Sequence, residues 1–115
     1  MIAHVVLFRP RADLSSAARE ALVDALRHAL SHIPRIKRAH VGRRVAIGRA
    51  YEQENALQFP YVALLEFETE RDLLDYLNHP AHSALGEQFS ATAEAALVYD
   101  YELIDADRAT DLLER

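Results

Sequence analysis

The opening stretch MIAHVVLFRPRADLSSAAREALVDALRHALSHIP, Met1 to Pro34, changes its hydrophobic period partway along. Ile2 to Arg9 is an apolar, β-rich run that stops at Pro10, as a strand closed by a turn would. From Leu14 onward apolar residues fall at Leu14, Ala17, Ala18, Ala21, Leu22, Ala25, Leu26, Ala29, Leu30 and Ile33. Steps of three and one describe a single face of an α-helix. Ser15 or Ser16 can cap its start, and Pro34 stops it. A strand therefore leads directly into a long amphipathic helix.

The same alternation of patterns continues downstream. Lys37 to Ile47 reads as a second strand ending near Gly48, and Arg49 to Phe59 is a polar, aperiodic loop. Loops of that length are often lids or mobile segments. Pro60 to Phe67 is a third apolar strand. Thr69 caps a short helix from Glu70 to Leu77, which breaks at Asn78-His79. A residue before proline avoids the helical region, whereas proline suits the first turn of a new helix. Pro80 thus opens a second segment running to about Ala95. Ala96 to Leu103 is the last strand, and a charged tail follows. The order β-α-β-β-α-β is the ferredoxin-like split βαβ arrangement of the α+β class, an antiparallel four-stranded sheet with its helices on one face. Residues 1–104 form one domain and 105–115 the tail.

Composition narrows the function classes. The chain has 115 residues, 50% of them hydrophobic, and a formal net charge of −5 from 13 basic and 18 acidic side chains. That is enough apolar material for one modest core. A weakly acidic chain without a basic tract is a poor nucleic-acid binder. The basic stretch from Arg35 to Arg44 alternates into a strand and reads as a solvated face. There is no cysteine, hence no thiol nucleophile and no thiolate metal site. No apolar run reaches membrane-spanning length and the N-terminus does not resemble a signal peptide. A cytoplasmic protein with no membrane or nucleic-acid partner is the expectation.

Strands one, three and four carry apolar residues on both faces, for example Val62 and Leu64 against Tyr61, Ala63, Leu65 and Phe67. Helices cover only one face of such a sheet. An apolar second face is unexpected on a monomer, and a twofold homodimer with two sheets packed face to face resolves it.

These residues, taken together, resemble one known family. The opening Ile2–Phe8 with His4, the helix ending Ile33-Pro34, Val41-Gly42-Arg43, Glu66-Phe67-Glu68, YLNHPAH from Tyr76 to His82, and VYDYE from Val98 to Glu102 are similar to the stress-responsive dimeric α+β barrel (Dabb) family. The resemblance implies the same fold, paired as a homodimer into a barrel, but not a single function. Members include plant stress proteins that form stable oligomers and a cofactor-free plant polyketide cyclase. In that cyclase a histidine at the position of His82 is the general base and a tyrosine at that of Tyr76 assists it. A histidine at the position of His4 lines its pocket. Where the cyclase has a pocket tyrosine this chain has Leu26, and where it has a strand histidine this chain has Tyr61. The resemblance thus implies a more apolar pocket, suited to a small hydrophobic or aromatic ligand.

The local chemistry agrees without deciding the matter. His82 falls in the first turn of a helix, where the positive dipole end favours the neutral imidazole that a base requires. Equally, Tyr76 continues the apolar face of Leu73 and Leu77, and His82 can simply pack at the helix junction. His4, on an apolar strand face, can be a core residue. His79 would bond a helix-end carbonyl or face solvent. His28 and His32 share a zinc-compatible spacing on the polar helix face and read as a solvated pair, so no metal and no cofactor are expected. Lacking tryptophan, the chain gives a haem-degrading reading little support. Two readings stay open: a small-ligand protein, in its sharpest form a cofactor-free cyclase, lyase or isomerase, and a non-enzymatic, stress-associated oligomer.

Overall fold

A computed structural model describes residues 1–54 and 56–113. Strand β1 spans Ile2–Pro10, helix α1 Ser16–His32, β2 Arg38–Arg43, β3 Tyr61–Phe67, α2 Glu70–Leu77, α3 Pro80–Thr92 and β4 Ala93–Glu102. The four strands form one antiparallel sheet in the order β2-β3-β1-β4. A short 3₁₀ turn at Ala50–Gln53 interrupts the loop after β2, and the tail ends in a 3₁₀ turn, Ala106–Arg108, and a one-turn helix α4, Ala109–Leu113.

The caps explain the helix boundaries. Ser15 Oγ accepts from the Ala18 amide at 3.1 Å, and Thr69 Oγ1 accepts from that of Asp72 at 3.1 Å, each satisfying an otherwise orphaned donor. His79 is itself a cap: it is extended (φ −73°, ψ 140°) and its Nδ1 accepts from the Ala81 amide at 3.0 Å. The expectation that His79 would bond a helix-end carbonyl or face solvent is corrected here, because a ring nitrogen with a free lone pair can serve the next helix's amide instead.

The larger boundary differences from the sequence reading lie at β2 and at the junction of α3 with β4. β2 stops at Arg43 rather than Ile47, because β3 begins only at Tyr61 and the register pairs Arg43 with Tyr61. Beyond that point the chain has no strand to pair with. The Glu52 carboxylate instead accepts from the amides of Ile47 at 2.9 Å and Arg49 at 2.7 Å. Arg44 donates to the Glu52 carbonyl, so much of the expected loop is tied down by one acid. α3 ends at Thr92 rather than near Ala95, and β4 starts at once with Ala93.

The core lies where α1, α2 and α3 meet β1 and β3. Ala29 and Ile33 of α1 pack with Leu65 and Phe67 of β3, Leu73 and Tyr76 of α2, and Ala81 of α3. Pleating puts His4, Val6 and Phe8 on the helix side, with Leu65, Ala63 and Tyr61 opposite them. Among the described residues no helix covers the other face. It exposes Leu64 (41%), Leu97 (37%), Tyr99 (50%) and Tyr101 (52%), the two-sided apolar character read from the strands. No helix among the described residues is long and apolar enough to cross a membrane.

Phe67 is wholly buried at the centre of this core. Phe67→Ala removes a ring the surroundings cannot refill and is expected to cost about 3–5 kcal/mol, measured by urea unfolding; a loss under about 1 kcal/mol would mean the site collapses around the gap.

Candidate functional site

The break between α2 and α3 assembles the site. Tyr76 sits in the last turn of α2 and His82 in the first turn of α3, with Asn78-His79-Pro80 between them. Their rings meet edge to face, centroids 4.7 Å apart. Beneath them β1 brings His4, whose ring lies 5.8 Å from that of Tyr76, again edge-on. Phe67 closes the other side of Tyr76 at 5.3 Å. Tyr76 is 3% exposed, His4 4%, and His82 is partly buried. Three of the residues singled out in the sequence therefore form one cluster.

Sequence reasoning missed a fourth member, Asp100. It stands directly across from His4 in the β1–β4 register, and its Oδ1 accepts from His4 Nδ1 at 2.5 Å. A charge-assisted bond of this length is among the stronger kinds. It places the proton on Nδ1 and leaves Nε2 as the ring's other functional atom. Asp100 remains half exposed. Its signal in the sequence was an acid within the otherwise apolar Val98–Tyr101 run, but only the register could name its partner.

Burial acts on the titrating groups in opposite senses. It pushes the Tyr76 hydroxyl up to about 12, so the phenol keeps its proton near neutrality and has a hydrogen to donate. It lowers His82 below the ordinary imidazole value, and the nearby His4 lowers it further. A hydrogen bond from the His82 ring to the Leu77 carbonyl pulls the other way. That bond has its own consequence. One ring nitrogen must carry hydrogen to donate, so in neutral His82 the other holds a free lone pair.

The Tyr76 hydroxyl has no hydrogen-bond partner among the described residues, yet none of them holds a side-chain polar atom both buried and unpaired. Its oxygen is consequently not fully sealed from solvent. The cluster offers a neutral base, a neutral acid and a carboxylate-anchored imidazole on the helix side of the sheet.

Tyr61 and Leu26 lie apart from it. Tyr61 is on the same face as His4 but four positions along β3 from Leu65, about 13 Å at ~3.3 Å per residue, and is 45% exposed. Leu26 is partly buried on α1, one turn before Ala29. Among the described residues no group of three or more His, Asp or Glu could hold a metal ion.

Comparison with known proteins now places the chain. The model of the stress responsive A/B barrel domain (Dabb) matches residues 2–103. Olivetolic acid cyclase of Cannabis sativa is 23% identical over 101 residues, covering 87% of this chain and 94% of that protein. The structure of a hydroxynitrile lyase from Passiflora edulis superposes with a TM-score of 0.76 at 17% identity, over 91% of this chain and 94% of that one. A dimeric ferredoxin-like protein of unknown function from Thermobifida fusca does so at 0.68 and 20% identity, over 89% and 90%. The chain belongs to the stress responsive A/B barrel family, and its fold is the ferredoxin-like one read from the element order.

The two shifts make opposite demands on stability. Unfolding returns Tyr76 to an ordinary phenol near 10, so the unfolded chain loses that proton first and stability falls as pH rises from 10 towards 12. His82 binds its proton more readily unfolded, so its contribution is present above 6.5 and is lost as pH falls through its lower folded value. In urea titrations, Tyr76→Phe is expected to remove part of the alkaline loss, on the order of 2 kcal/mol, and His82→Gln part of the acid loss. Parallel pH profiles for wild type and both variants would contradict the assignment.

Proposed function

We propose that this family member works as a homodimer that binds a small apolar or aromatic carbonyl compound on the helix side of the sheet. There it moves a proton with His82 and Tyr76, without a cofactor. The observation that carries the reading is the ring cluster of His4, Tyr76 and His82, in which one buried environment keeps an acid protonated and a base neutral.

The step follows from those states. The free ring nitrogen of His82 takes a proton from the carbon beside the carbonyl, and the electron pair moves onto the oxygen. Tyr76 donates a hydrogen bond to that oxygen as charge develops there, the kind of stabilisation that matters most when water is excluded. The enolate then attacks a second carbonyl of the same molecule or expels a leaving group, and His82 returns its proton. His4, held by Asp100, lines the floor and orients the ligand. Leu26 and Tyr61 would contact its more distant, apolar part. A relative named as a cyclase supports the class, since ring closure onto a carbonyl needs a base near carbon and a donor at oxygen. A positioned base of this kind is worth about 10²–10⁴ in rate.

For the homodimer, the support is the uncovered sheet face with Leu64, Leu97, Tyr99 and Tyr101, and the dimeric relative from Thermobifida fusca. Packing two such faces together buries both at once.

Exchange of α-hydrogens for solvent deuterium in a panel of aryl ketones and acyl acetates, followed by NMR, tests the chemistry. Wild type is expected to catalyse exchange for at least one, with His82→Gln slower by about 100-fold or more and Tyr76→Phe also impaired. Equal rates in wild type and His82→Gln would end the proposal for His82. No exchange by wild type across the panel would leave the non-enzymatic oligomer as the better reading. Separately, Leu97→Lys with Tyr99→Lys is expected to yield a monomer in sedimentation velocity, and an unaltered dimer would place the interface elsewhere.

A further inference from the structure

The exposed face of α1 carries two histidines that the cluster above does not use. His28 and His32 are one turn apart, and their rings stack with centroids 3.9 Å apart and planes inclined by 26°. Both are exposed and neither makes an ion pair. Two stacked imidazoles on an exposed helix face bury nothing of the core and complete no helix N-terminus.

Their local bonds fix which atom of His32 is free. His32 Nδ1 lies 2.9 Å from the His28 carbonyl oxygen. A carbonyl can only accept, so Nδ1 carries the hydrogen. Ser31 Oγ donates its own hydrogen to the same carbonyl at 3.1 Å and lies 2.9 Å from Nδ1, which keeps the ring from rotating away. Neutral His32 therefore holds its lone pair on Nε2, directed off the helix. A ring N–H anchored on a backbone carbonyl behind a free nitrogen is the usual support of a metal-bound histidine.

The spacing also suits one ion. Two metal–nitrogen bonds of about 2.0–2.1 Å at a tetrahedral angle separate their nitrogens by roughly 3.4 Å. With His32 held by its two bonds, the His28 ring, for which no bond of its own is seen among the described residues, has to turn out of the stack to aim a nitrogen at the ion on His32 Nε2.

We propose that His28 and His32 chelate a single divalent ion of the copper, nickel or zinc class. Imidazole nitrogens without carboxylate oxygens select these over magnesium or calcium. Among the described residues no third His, Asp or Glu completes a group of ligands, so water fills the remaining positions and the ion exchanges freely. Nothing in the proton-transfer reading depends on this site.

The test uses the untagged full chain, titrated calorimetrically with Ni²⁺ and then Zn²⁺. One ion per chain is expected, together with a rise in thermal midpoint, since a ligand bound only by the folded state stabilises it. His28→Gln and His32→Gln should each weaken binding by about tenfold or more, at least what losing an outer partner of a ligand costs. Circular dichroism of each variant should match wild type. His40→Gln, at an exposed histidine on β2, and His82→Gln should leave affinity unchanged. Retained affinity in the His28→Gln/His32→Gln double variant, or equal affinity for Mg²⁺, would overturn the site.

Discussion

One steric rule at one residue organises the helix layer. His79 precedes Pro80 and is held out of the helical region, at φ −73° and ψ 140°, because the proline ring crowds the residue before it. In an unbroken helix, residues six apart point about 120° away from one another. Tyr76 and His82 would then face different surroundings. The break turns the chain back so that the end of one helix and the start of the next present both rings to the same point. His79 supports the geometry it is forced into, since its own ring nitrogen satisfies an amide of the new helix.

Burial is the largest influence on both titrating groups of the cluster. Removing a group from water penalises whichever of its forms is charged. For a phenol that form is the anion, for an imidazole the cation, so the same desolvation moves Tyr76 up and His82 down. One enclosure thus favours a protonated phenol beside a neutral imidazole. The start of α3 adds to this at His82, where the helix dipole also disfavours positive charge. His4 is the member treated differently: buried, but given a carboxylate partner.

Much of this was legible in the sequence because it is local. The change of period at Leu14, the caps at Ser15 and Thr69, and the break before Pro80 all depend on near neighbours, and each appears where expected. Tyr76 and His82 are linked by the same short stretch, so their meeting could be anticipated. Register could not be. Alternation puts Asp100 on one face of β4 and His4 on one face of β1, but a slip of two residues would preserve both faces and separate the pair. Tyr61 shows the same limit from the other side: the right face, at the wrong height. The early end of β2 was hidden for a related reason, since a strand lasts only as long as its neighbour, and the Arg43–Tyr61 pairing was not written locally.

Asp100 has one foot in each medium. One carboxylate oxygen holds a buried imidazole, while much of the side chain faces water. An enclosed group that gives up a proton must recover it, and in many proteins that requires a lid or a helix end to open. Here the proton on His4 Nδ1 lies one hydrogen bond from a carboxylate in contact with bulk solvent. The buried imidazole can therefore trade that proton with water through Asp100 while the backbone stays closed.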